Sequence, residues 1–129
     1  MTDELPRYGE FAAALAAWDA HCPGDARPAA ALAAAARYAR APTPTHRNEL
    51  LATLAGVEAA WLGVLKVDDA AWAAGEAACG ARAAAQAALA VLCLGHSLLT
   101  TGAEAAAHWR NAWGHAQFAG ATAPNGSTA

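Results

Sequence analysis

The chain has 129 residues, which is enough for one domain and too short for two of ordinary size. Alanine supplies 43 of these residues, whereas valine supplies four and isoleucine none, which excludes a conventional β-sheet because strands draw on β-branched residues. A hydrophobic share of 57% with a charged share of 15% excludes a disordered chain, and the formal net charge is only −3. We therefore expect an Ala-rich, all-α protein.

The first two predicted helices cover about residues 6–20 and 26–41. Asp25 is the candidate cap of the second helix. The first helix carries an apolar stripe at spacings of 3, 4 and 3, formed by Tyr8, Phe11, Leu15 and Trp18.

The third predicted helix covers about residues 44–66, with Thr43 as its cap and Pro44 at its first position. Leucines surround Glu58 on one side of this helix, and small residues line the other side. A helix that is apolar on both sides is typical of the centre of a bundle. This pattern predicts that the helix is central and that Glu58 is a buried carboxylate, within the chain or at a subunit interface.

The C-terminal half predicts a turn at 67–69, where either Asp68 or Asp69 can cap the next helix. A fourth helix is expected over about 70–99, with glycines as weak points, and a fifth over about 102–119. The short connections favour antiparallel neighbours. We expect one compact four- to five-helix antiparallel bundle over residues 1–120, followed by a disordered C-terminal tail over 121–129.

The positive charge is concentrated in one segment, 27–47, which contains four arginines and no acid. A basic segment of this kind can face nucleic acid or an acidic protein partner, or it can be a solvated surface that offsets the acidic N-terminus. The candidate contact residues are Arg27, Arg37, Tyr38, Arg40 and Arg47.

The cysteines Cys22, Cys79 and Cys93 are odd in number and form no C-x-x-C pair, which argues against a disulfide framework or a zinc knuckle. The N-terminus is acidic and lacks the basic-then-apolar order of a signal peptide, so we expect a cytoplasmic protein. The best membrane candidate, 83–99, is interrupted by polar residues and has no positive flank, so we expect no membrane span.

Two patterns in the fifth helix suggest alternative functions. Arg110, Asn111 and His115 form an Arg-polar-x3-His pattern that resembles the motif of the HEPN family, small all-α domains that include metal-independent ribonucleases and toxins. That resemblance implies that Arg110 stabilises phosphate charge, His115 transfers protons and Asn111 supports them. The second alternative is a small-ligand or metal-binding bundle, built around Glu58 or around the stripe of Glu104 and His108.

The interpretation that we favour from sequence is a small non-enzymatic helical subunit or adaptor that acts through protein contacts, as a homo-oligomer or with a protein partner. Its size and helical class are similar to those of the small subunits of multi-subunit CRISPR effectors, which would place the basic segment in a nucleoprotein assembly. No cofactor or metal is predicted. Tryptophan is enriched at interface hot spots, so the predicted anchors are Trp61, Trp72, Trp109 and Trp113.

Overall fold

A computed structural model describes the backbone of residues 8–75 and 79–122, and the side chains of 11–75 and 80–120. These residues form five α-helices and no strands, which confirms the prediction of an all-α helical bundle. The helices are α1 (Tyr8–His21), α2 (Arg27–Arg40), α3 (Pro44–Ala73), α4 (Cys79–Leu99) and α5 (Gly102–Thr122). Residues 123–129 of the predicted disordered tail lie outside the described residues, whereas 121 and 122 belong to α5.

The start of α3 is set by local chemistry, as predicted. The side chain of Thr43 accepts a hydrogen bond from the backbone N–H of His46 at 3.1 Å, and Pro44 occupies the first turn. The first N–H groups of a helix have no partner inside it. A threonine cap supplies an acceptor for one of them, and proline at the first position has no N–H that needs a partner.

The predicted turn at 67–69 is wrong, because α3 continues to Ala73. Asp68 is buried, and its Oδ2 lies 3.5 Å from Nε of Arg82 on α4, so this carboxylate joins two helices rather than capping one. The helix instead ends before Gly75, whose φ of +76° is a left-handed conformation that favours glycine.

The centre of the bundle is α4, which packs against the other four helices. Seven of its 21 residues are alanine, and among its described side chains only His96 is exposed, so neighbours can approach from nearly every side. The expectation that the third helix is central is therefore wrong: α3 packs mainly against α2 and α4 and leaves its remaining surface exposed. Large side chains fill the gaps between the alanines, chiefly Phe11, Leu50, Val57, Val91 and Leu94.

Helices α3 and α4 approach each other closely at Gly95. A Cβ added to Gly95 would lie 2.5 and 2.6 Å from the two δ-carbons of Leu54 and 3.0 Å from its Cγ. Gly95 has no side chain, which leaves space for the side chain of Leu54 and allows the two helices to pack closely at this point.

Two of the described helices, Pro44–Ala73 and the Gly80–Leu99 part of α4, are long and apolar enough to cross a membrane by length and composition. In the fold, 56% of the apolar window of Gly80–Leu99 is buried, which fits a core helix. Only 28% of the apolar window of Pro44–Ala73 is buried, and the rest of it is half-buried or exposed within this chain.

Candidate functional site

The most distinctive surface of the molecule is the solvent-facing side of α3. Thirteen residues between Leu51 and Ala73 are exposed, and ten of them are apolar or glycine. We call these thirteen residues the outer face of α3. Its only charged residues are Glu58, Lys66 and Asp69. Solvated helix faces are normally rich in charge, so this composition is typical of a surface that another molecule covers.

Helix α3 carries two stripes of residues with the alternating spacings of four and three that define a heptad pattern. One stripe faces the bundle and the other follows the outer face. The inner stripe packs into the bundle and consists of Leu50, Leu54, Val57, Trp61, Val64, Asp68 and Ala71. The second stripe is shifted by one residue and consists of Leu51, Ala55, Glu58, Leu62, Leu65, Asp69 and Trp72. All members of the second stripe are exposed except Leu65, which is half-buried. One helix therefore presents two seams, and the chain covers only one of them.

The C-terminal end of the outer face is marked by Trp72, whose side chain is 70% exposed. The guanidinium carbon of Arg82 lies 4.9 Å from the centre of the Trp72 ring, a cation–π contact, and Arg82 is also the partner of Asp68. These contacts orient the indole while leaving most of its surface available.

The other predicted tryptophan anchors are placed differently. Trp61 and Trp109 pack partly buried against the core, and the Trp109 ring centre is 6.1 Å from that of Phe11. Trp113 is half-buried. The structure thus separates Trp72 from the other three tryptophans, because those three are partly buried whereas Trp72 is exposed.

Glu58 lies on the outer face and is exposed, so the expectation of a carboxylate buried within this chain is wrong. The helical wheel placed leucines correctly on both sides of Glu58. However, Leu54 turns into the bundle whereas Leu51 and Leu62 remain at the surface. Nothing within the described residues surrounds Glu58 as a ligand or an acid–base site would require.

The basic segment is divided by internal ion pairs. The Arg27 guanidinium donates to both carboxylate oxygens of Asp25, at 2.9 and 2.6 Å, and this hydrogen bonding holds the pKa of Asp25 below its usual value. Arg37 donates to both oxygens of Glu49 in the same way and lowers the pKa of Glu49. Asp25 also accepts from the backbone N–H of Arg27, but Ala26 occupies the cap position of α2, so the prediction of Asp25 as the cap is wrong.

Two arginines of the segment, Arg40 and Arg47, are exposed and form no ion pair with the described residues. Tyr38 packs partly buried against the core, so its ring is only partly available for stacking on a base. The positive surface that remains for a partner is therefore smaller than the sequence indicated.

The HEPN-like residues do not converge on one point within this chain. Arg110 and Asn111 are exposed, whereas His115 is half-buried and its Nδ1–H donates to Oε1 of Gln86 on α4 at 2.5 Å. Burial lowers the pKa of His115, which favours the neutral ring. Arg110 and His115 are five residues apart and thus about 140° apart around the helix, so their side chains leave it in different directions.

The Glu104 and His108 stripe gives a similar result. Glu104 is exposed, and the ring of His108 lies beside that of His96 on α4, with ring centres 5.7 Å apart. No group of three His, Cys, Asp or Glu side chains capable of holding a metal occurs among the described residues. The sequence did not indicate His96, because only the packing of α5 on α4 brings it to His108.

The remaining candidates are two thiols and a groove. Cys22 and Cys93 are free and half-buried, and burial raises the pKa of both thiols, which disfavours the nucleophilic thiolate. An open groove of about 370 Å³ lies between α1 and the start of α2 and is lined mainly by alanines and by Leu15 and Trp18. The groove includes the carboxylates of Asp19 and Asp25, the second of which is already paired with Arg27.

Comparison of the chain with protein-family models, with curated proteins and with solved structures finds no match.

Proposed function

We propose that this protein is a small non-enzymatic helical subunit or adaptor that works by binding another protein chain through the outer face of α3. The observation that carries the proposal is the contrast within that helix. Its inner seam is buried by α2 and α4, while an equally regular seam that includes Leu51, Leu62 and Trp72 faces solvent.

The shape and chemistry of this face favour a helix as the contacting element. Leucines at heptad spacing act as knobs, and the neighbouring exposed residues Ala52, Ala59 and Gly63 are small enough to form holes for the partner's side chains. An exposed, oriented indole such as Trp72 at the end of the seam is typical of an interface anchor.

Charge argues for a protein partner over a membrane surface. Helices that lie on anionic membranes are rich in lysine and arginine on their polar side. The outer face of α3 instead carries one lysine and two carboxylates, with Glu58 and Lys66 directly beside the apolar residues. Such isolated charges of opposite sign are typical of seams that select a partner and its register.

The other functions receive less support from the geometry. A ribonuclease needs its Arg and His to act on one phosphate, whereas Arg110 and His115 diverge and His115 is engaged by Gln86. A nucleic-acid interface needs free cations, whereas Arg27 and Arg37 are each paired with a carboxylate.

Site-specific photo-crosslinking in the host of the protein tests the proposal. A photoreactive amino acid at Leu62 reports on the outer face, and the same residue at Ala33, an exposed position of α2, is the matched control. We expect one dominant protein adduct at position 62, identified by mass spectrometry, and none of that adduct at position 33. Equal labelling at the two positions, or adducts to lipid alone at position 62, would contradict the proposal.

A further inference from the structure

Two of the three charged residues on the outer face of α3, Glu58 and Lys66, are placed symmetrically about one residue. Glu58 is four residues before Leu62, and Lys66 is four residues after it. On an α-helix this places them about 6 Å below and above Leu62 and about 40° to either side of it. All three residues are exposed, and neither charge has an ion-pair partner among the described residues.

This arrangement is self-complementary. When two copies of such a helix pack antiparallel about a two-fold axis at Leu62, Glu58 of each copy faces Lys66 of the other. For any two residues that face each other across the axis, the two residue numbers then add up to twice 62, because Leu62 lies on the axis. Both ion pairs form together, and the two Leu62 side chains meet at the centre.

We propose that the occupant of the outer face is a second copy of this chain, packed antiparallel through α3 with the two-fold axis at Leu62. This inference rests on the proposed function, because it names the partner of the same face. The protein is thus a homodimer whose α3 helices form the contact between two bundles.

The same register matches large residues with small ones along the rest of the face. Leu65 of one copy lies opposite Ala59 of the other, and Trp72 lies opposite Ala52. Pairing of bulky with small side chains lets two helices approach closely without leaving cavities. The stripe from Leu51 to Trp72 extends over about 32 Å of helix, so the contact is long enough for both ends to take part.

Charge excludes the competing arrangements. A parallel pair in register would place Glu58 beside Glu58 and Lys66 beside Lys66. An antiparallel pair centred on Glu58 would bring two carboxylates together at the axis. Like charges at such positions oppose pairing. In the antiparallel register at Leu62, Glu58 and Lys66 instead face residues of opposite charge, while Asp69 lies opposite Ala55.

The heptad spacing predicts how the two α3 helices cross. On a straight α-helix a stripe with a seven-residue repeat drifts by about 20° per heptad, so two helices that remain in contact along the stripe wind around each other in a left-handed supercoil. A contact between single helices is small compared with a standard protein interface, so we expect a dissociation constant in the micromolar range.

Sedimentation equilibrium over about 1–500 µM chain tests the dimer and its register together. The Glu58→Lys variant places two lysines side by side at both ion-pair positions of the dimer, and Lys66→Glu places two carboxylates side by side at both. We expect each variant to dimerise about tenfold more weakly than the unchanged protein, because two attractive pairs become repulsive. An equimolar mixture of the two variants restores the affinity as a heterodimer, because both pairs are again of opposite charge.

Controls separate the register from general charge effects and from misfolding. Glu104→Lys makes the same charge change at an exposed position of α5 and is expected to leave dimerisation unchanged. Far-UV circular dichroism checks that each variant keeps its helix content. A further variant, Leu62→Asp, places two carboxylates on the axis and is expected to give a monomer.

The outcomes distinguish this inference from the proposed function. A chain that stays monomeric at about 500 µM, or a dimer that is insensitive to both single charge reversals, would overturn the antiparallel homodimer. An adduct of position 62 to a different protein would then still support the proposed function. Absence of any protein adduct at that position would overturn both.

Discussion

The contact between Gly95 and Leu54 predicts how the bundle responds to the smallest possible enlargement of its core. Gly95→Ala adds one methyl group at a point that is 2.5 and 2.6 Å from the leucine δ-carbons. Attractive carbon contacts begin at about 3.5 Å, so the new atom overlaps both methyl groups at once. Because Cγ is also only 3.0 Å away, rotation about the Cβ–Cγ bond, which moves only the two δ-carbons, does not relieve the whole overlap.

The magnitude follows from two opposing effects. Overpacking of a dense core costs about 1–3 kcal/mol. Replacement of glycine by alanine inside a helix stabilises it by about 1 kcal/mol. Gly114→Ala is the matched control, because a Cβ at Gly114 meets nothing within 4 Å. The helix-propensity effect cancels between the two variants, so we expect Gly95→Ala to be less stable than Gly114→Ala by about 1–3 kcal/mol.

Urea unfolding followed by circular dichroism at 222 nm measures this difference at one low chain concentration, so that self-association contributes equally. In a Leu54→Ala background the space is open, and the same Gly95→Ala change should become stabilising by about 1 kcal/mol. Equal stability of Gly95→Ala and Gly114→Ala, or no change of sign in the Leu54→Ala background, would refute the close-approach reasoning.

Two further predictions concern titration and charge. Burial lowers the pKa of His115, so as the pH falls through the ordinary histidine value of 6.5 the unfolded chain binds a proton before the folded chain does, and stability falls. His115→Asn keeps a donor for Gln86 and should reduce the loss of unfolding free energy between pH 7.5 and pH 5.5. The same loss in this variant as in the unchanged protein would contradict its attribution to His115. Arg40→Glu combined with Arg47→Glu should leave nucleic-acid retention on filters unchanged, because we propose that the partner binds the outer face of α3 and not the basic segment. A smaller salt dependence in this double variant would contradict that.

Local chemistry explains which elements the sequence could predict. Thr43 and Pro44 specify a helix start without help from the rest of the chain, and the structure confirms that start. The turn expected at 67–69 failed for the opposite reason, because the role of Asp68 depends on Arg82, which is fourteen residues away on another helix. An aspartate read alone resembles a cap, whereas an aspartate with a distant partner can lie inside a helix.

The candidate site was predictable as a pattern but not in its orientation. The wheel showed that α3 is apolar on several sides and that Glu58 lies among leucines. It could not show which side faces α4, because that choice depends on the shapes of the other helices. The contact of His96 with His108 was hidden in the same way, since the register between α4 and α5 is a tertiary property.

The alanine core has a thermodynamic consequence. Of the twenty-five buried apolar residues in the described part of the chain, sixteen are alanine. Alanine has no rotamers to lose, so ordering these side chains carries no rotamer entropy cost. It also exposes little apolar area on unfolding, so the heat capacity change per residue is smaller than the usual value of about 12–15 cal/mol/K. The free energy of unfolding therefore varies more gently with temperature than in a protein with a core of larger side chains.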